Sequence, residues 1–189
     1  DSDIPTLQGS VELHGKVLTE KNSILGISGH WGREVVDWAV TNNAAASVKD
    51  EDYDTWSLNG SVSFPIIKQA SLVGSMWTGE NLDTYYGGIG QGINPATKDG
   101  IRAEGGWLQL QVFPTEKINV NFTCGLDDPK DGDLSKNMRS KNETLMSNIH
   151  SSFSPDLILG LEYQFIKTEY KESDSAEDNR IQASLTFKF

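Results

Sequence analysis

From Arg180 to the end of the chain, Ile181, Ala183, Leu185, Phe187 and Phe189 alternate with Arg180, Gln182, Ser184, Thr186 and Lys188. A period of two is the side-chain repeat of a β-strand, and this one separates a wholly apolar face from a wholly polar one. Leu157, Leu159, Leu161, Tyr163 and Phe165 alternate with a row that includes Gly160, Glu162, Gln164 and Thr168. Ile118, Val120, Phe122, Cys124 and Leu126 do the same against Lys117, Asn119, Asn121, Thr123 and Gly125. Weaker versions run through Trp56, Leu58, Gly60, Val62 and Phe64, and through Leu25, Ile27 and Trp31. Further candidate strands lie at residues 11–17, 70–78, 102–112 and 139–153. The total is about nine strands, in segments of about ten residues, and helical periodicity is nearly absent.

The connections alternate in length. Short turns fall at residues 19–22, 65–68, 114–116 and 154–156, three of them containing Pro, which suits a turn. Long connections are expected at 35–54, 79–100, 127–137 and 172–179. A meander threading a membrane produces this alternation, with short turns at one surface and long loops at the other. The predicted fold is therefore all-β, an antiparallel up-and-down transmembrane β-barrel, in one domain over residues 1–189. Bacterial single-chain barrels use even strand numbers with both termini at the periplasmic side. About nine strands break that parity, so the expectation is a C-terminal portion of a larger barrel.

Composition narrows the alternatives. No stretch approaches the roughly 20 consecutive apolar residues of a spanning helix, so any membrane insertion must use strands. The net charge of −11 argues against nucleic acid as a partner, because that binding is driven by Lys and Arg neutralising phosphates. Cys124 is the single cysteine and has no neighbours at zinc-site spacing. Asp1-Ser2-Asp3-Ile4-Pro5 offers neither the basic nor the apolar region of a signal peptide. No Ser, His and Asp arrangement stands out, and the expectation is a protein without enzymatic activity, cofactor or metal.

The strand ending in Phe189, the run from Ser151 through Pro155 to Tyr163, and the run from Asn179 to Leu185 together resemble the C-terminal half of a bacterial outer-membrane porin of the DcaP-like group. The terminal aromatic matches the residue that such proteins use as a barrel-assembly signal. The resemblance covers most of the chain from about Leu25 onward and consists of strand texture and strand endings. It implies residence in the bacterial outer membrane, contact with lipid and lipopolysaccharide, a homotrimer, and passive diffusion of small hydrophilic or anionic solutes through a water-filled pore. The chain departs from the family in being shorter.

Candidate residues follow from this reading. Polar-face charges set ion selectivity in a pore, which nominates Arg180, Lys188, Arg139, Lys141, Glu162 and Glu12. Structurally such charges can instead satisfy one another across strands. The glycine-rich segment from Gly87 to Gly92 lacks nucleotide-loop spacing and lies in the long connection at 79–100. There, Asp83, Tyr85, Tyr86 and Gln91 are candidates for a constriction, with the tyrosines packed inward, against the plainer reading of an extracellular loop. His14, His30 and His150 fall on polar parity. Acidic clusters at 50–54, 127–133 and 172–178 read as solvated loop charge or as sites for divalent ions bridging to lipopolysaccharide. Trp56, Phe64, Tyr163, Phe165, Phe187 and Phe189 fit an interfacial girdle. Two rival functions remain: a soluble β-sandwich in which Trp31, Trp77 or Trp107 stacks on a carbohydrate, and a closed structural barrel without conductance.

Overall fold

The computed structural model describes residues 4–38 and 50–188. Phe189, the signal-peptide reading at residues 1–3 and the middle of the connection at 35–54 lie outside the described residues. A single nine-stranded antiparallel sheet dominates. Its strands are β1 (Leu7–Lys16), β2 (Asn22–Val36), β3 (Glu51–Ile67) and β4 (Ala70–Glu80), then β7 (Arg102–Thr115), β8 (Ile118–Pro129), β9 (Arg139–Ser154), β10 (Leu157–Tyr170) and β11 (Ser173–Phe187). They are ordered as they occur in the chain, each beside its sequence neighbour. Two-residue strands β5 (Ile93–Asn94) and β6 (Asp99–Gly100) form a separate ribbon inside the connection between β4 and β7.

All nine strands of the main sheet coincide with segments in which period two was expected. One connection differs. Residues 172–179 were expected to form a long loop, yet β10 and β11 stay paired from Leu157↔Phe187 to Tyr170↔Ser173. Only Lys171 and Glu172 turn the chain, Glu172 at φ 54°. The acidic run belongs to a strand, because a strand whose two faces meet the same solvent shows no alternation.

The sheet is open. With nine strands antiparallel in succession, the edge strands β1 and β11 run in the same direction. The two edges therefore cannot join as an antiparallel pair, and a barrel of antiparallel neighbours containing this sheet needs an odd number of strands between them.

Register assigns the faces. Glu162 lies across from both Asn148 and Gln182, Asn148 from Asn121, Asn121 from Gln111, and Gln111 from Ser71. The same inner parity on β3 carries Ser57, Asn59, Ser61 and Ser63, with Asn59 across from Ser28 and Ser57 across from His30 on β2. The opposite row carries Leu25, Leu58, Met76, Phe122, Leu145, Leu161 and Leu185, all exposed. No second sheet covers them among the described residues, so the sandwich expected as a rival, with apolar rows meeting in a closed interior, is not what forms.

The outer apolar row ends in charge at the same end of the strands, the end bearing connections 81–101 and 130–138. Trp31 gives way to Arg33, Trp56 to Asp54, Thr78 to Glu80, Gly106 to Glu104, Leu126 to Asp128, Leu145 to Glu143 and Phe165 to Lys167. Leu157 to Phe165 spans roughly 26 Å of strand, or about 20 Å of depth after a ~40° tilt. This fits the apolar band of a membrane barrel.

Candidate functional site

The inner wall is built from amides and hydroxyls that partner one another. Gln111 Nε2 donates to Gln109 Oε1 (2.8 Å), and Gln109 Nε2 donates to Thr123 Oγ1 (2.9 Å). Asn121 Nδ2 donates to Asn148 Oδ1 (2.7 Å), and Asn148 Nδ2 (3.2 Å) and Gln182 Nε2 (3.1 Å) both donate to the Glu162 carboxylate. Strand alternation places these groups side by side on one face, where cross-strand hydrogen bonds add to the backbone ladder.

The connection 81–101 folds against this polar face. Thr55 Oγ1 on β3 donates to the Asn81 carbonyl (2.7 Å), and Asn81 Nδ2 donates to Glu34 Oε2 on β2 (3.2 Å). The Ile89 amide donates to Asp127 Oδ2 on β8 (2.8 Å), with Ile89 at φ 54°. Gln91 grips the backbone of β9 at both ends of its amide: Nε2 donates to the Arg139 carbonyl (2.7 Å) and Oε1 accepts the Arg139 amide (3.0 Å). Leu82, Ile101, Ala103 and Leu134 are buried beneath these contacts. Arg102 and Asp133 join the connection's end to residues 130–138 through a two-pronged pair, at 2.7 and 2.8 Å. That hydrogen-bonded guanidinium holds the Asp133 carboxyl below its ordinary pKa.

Where the connection meets β2, the Tyr85 ring stacks on His30, with centroids 3.9 Å apart and planes at 22°. His30 is held from behind, with Ser57 Oγ 2.7 Å from Nδ1 and Thr55 Oγ1 3.3 Å from Nε2. Beside the stack, Trp77 lies so close over Gly105 that a Cβ there would sit 2.5 Å from the indole. Glycine at 105 is thus what lets the ring lie against the wall. A recess of about 460 Å³ opens between the connection and β1 to β4.

Of the constriction candidates, Tyr85 packs on the wall and Gln91 anchors the connection. Asp83 accepts the Thr84 amide (2.8 Å) at the connection's own turn. Tyr86 does not pack inward as expected: at φ 63° it points away and is 95% exposed.

Among the pore-lining candidates, Arg180, Lys188, Glu162 and Glu12 share the inner parity. Arg180 donates to Gln164 Oε1, and Glu12 lies 3.1 Å from His14. Lys141 lies on the other face, because Asn142 occupies the inner position opposite Asp127. It pairs instead with Asp128 at 3.8 Å. Arg139 sits beyond a register shift in β9 and meets the connection through its backbone. In the run from Arg139 to Glu143 no apolar residue sets the phase. Counting back in twos from Leu145 would have placed Lys141 outside. Nothing in the sequence marks the His30–Tyr85 stack, which joins residues far apart in the chain.

No protein-family model matches the chain, and no curated protein does. Among solved structures it is similar to the crystal structure of the outer membrane channel DcaP of Acinetobacter baumannii, with a TM-score of 0.79 at 14% identity. The fold is that of part of a DcaP-like porin barrel. The match takes in 100% of this chain and 53% of that one; the chain thus spans about half the length of the channel it resembles. As an open antiparallel sheet of nine strands, it corresponds to a partial barrel wall.

Proposed function

We propose that the chain forms part of the wall of an outer-membrane porin through which small hydrophilic solutes diffuse passively, without catalysis. One observation carries the reading: an exposed apolar row and a hydrogen-bonded polar row on opposite faces of one sheet, the apolar row ending in charge strand after strand at one end. Hydrocarbon is the environment that rewards the first row and water the one that rewards the second. The outward charges at the rim, Asp54, Glu80, Glu104 and Glu143 among them, lie where lipopolysaccharide headgroups and their divalent ions would meet the protein. A homotrimer is part of the same proposal, on the likeness to porins.

Connection 81–101 is the proposed constriction, since it is fastened to the lumen-facing row of β2, β3 and β8. Glu12, Glu162, Arg180 and Lys188 are the proposed determinants of ion preference, as charges along a wet pore. The test is conductance of the full-length protein in planar bilayers. Discrete, ohmic steps are expected, and a protein that inserts without raising conductance overturns the channel. Removing residues 83–99 should enlarge the steps, whereas unchanged steps would deny that segment any narrowing role. Charge reversal at Arg180 or Glu162 should shift the cation-to-anion permeability ratio.

A further inference from the structure

We propose that the recess between connection 81–101 and β1 to β4 binds a neutral polyhydroxylated ring, a mono- or disaccharide. The proposal deepens the porin reading and rests on it. At about 460 Å³, the recess falls within the roughly 300–1,000 Å³ typical of small-molecule sites. Its lining combines two flat aromatic surfaces, Trp77 and Tyr85, with the neutral hydrogen-bonding groups of Ser28, Ser57, Asn59 and Gln8. Among the described residues that line it none is an Asp, Glu, Lys or Arg, and the His30 ring is taken up by its stack on Tyr85, although the chain as a whole carries a charge of −11.

That lining discriminates among solutes. An ion entering the recess would shed water without meeting a counter-charge, which is costly. For an anion the chain's net charge of −11 adds repulsion. A sugar loses nothing comparable, because its hydroxyls exchange water for amide and hydroxyl partners. The C–H face of its ring covers an aromatic surface that would otherwise stay wet. The scaffold is also set in advance. His30 fixes one face of Tyr85 and is itself fixed by Ser57 and Thr55, so little side-chain freedom remains to be lost on binding. Asn59 Nδ2 already bonds Ser57 Oγ at 2.9 Å, which orients the amide along the recess.

The experiment is equilibrium dialysis of maltose against the full-length protein in detergent, with bilayer conductance measured in parallel. Maltose is expected to bind in the millimolar range. Trp77→Ala should weaken it at least tenfold and Trp77→Phe less, and gluconate should not compete. Because the alanine variant can fail to fold, Asn59→Leu provides a second variant, expected to weaken maltose several-fold in protein whose heat-modifiable gel mobility is retained. Absence of maltose binding, equal binding by folded Trp77→Ala and Asn59→Leu, or equal binding of gluconate overturns the proposal. Conductance without maltose binding removes the sugar site and leaves the porin. Maltose binding without conductance upholds the site and removes the porin.

Discussion

Along β8, Phe122, Cys124 and Leu126 are exposed while Asn121 and Thr123 between them are buried. At the loop end of the same sheet the preference is the ordinary one: Leu82, Ile101, Ala103 and Leu134 are buried and Tyr86, Lys130 and Asp131 are exposed. The two regions differ because they are solvated differently. On the proposed reading the wall trades water for hydrocarbon on one side, so its apolar residues need no protein partner. The loop cluster stands in water and must make its own core. The proposal thus gives stability two sources, backbone ladder and lipid contact in the wall, burial and side-chain anchoring in the cluster.

The contrast can be broken most forcefully from the outside. Met76→Arg, in the middle of the outer row, should cost about 2–4 kcal/mol of membrane folding stability, measured by denaturant titration in lipid vesicles. Ser75→Arg, one residue away on the inner row, should cost far less. Equal losses would mean that the two faces see the same medium. Next comes Ile101→Ala, which empties a fully buried site in the cluster and should cost about 2–4 kcal/mol. The loss should appear as faster proteolysis of residues 81–101 with the strands still protected. Simultaneous cleavage of the strands would show one cooperative unit instead of two.

A smaller effect is expected from Gln91→Leu, which removes both hydrogen bonds to Arg139 and leaves its part-buried backbone groups short of partners. About 1–3 kcal/mol should be lost from the connection's anchoring, read as accelerated amide exchange near Ile89 and Gln91. The smallest concerns the Arg102–Asp133 pair, whose attraction is weakened by solvent because the guanidinium is half exposed. Its folded carboxyl pKa is depressed. The stabilisation is therefore complete above the ordinary aspartate value of about 3.9 and is lost as pH falls through the lower, folded value. Asp133→Asn should abolish that acid-dependent part of the connection's exchange profile. An unchanged profile would assign it to other groups.

How much of this was legible follows from the same contrast. Strand positions and faces were readable wherever the two sides of a strand differ in polarity, because that difference puts Leu157, Leu159 and Leu161 on one side. Past that zone the constraint lapses. Residues 173–179 therefore read as a loop, and Lys141 was placed on the wrong face. The porin likeness was visible in the strand endings. The inward fold of 81–101 was suspected from its glycines and tyrosines, but its fastenings were not. Thr55, Asp127 and the Arg139 backbone are brought to it by barrel curvature, which leaves no trace in local spacing. The β5–β6 ribbon was likewise unreadable, two residues a side being too short for any period.

The shared direction of β1 and β11 bears on how such a wall enters a bilayer. Each rim strand leaves alternate amides and carbonyls without a mate, and in hydrocarbon every one of them is worth several kcal/mol. The sheet alone is thus an unwelcome guest in lipid, and its two borders can relieve each other only as a parallel pair. A wall of this kind is therefore at home in a bilayer only once further strands have sealed both of its seams.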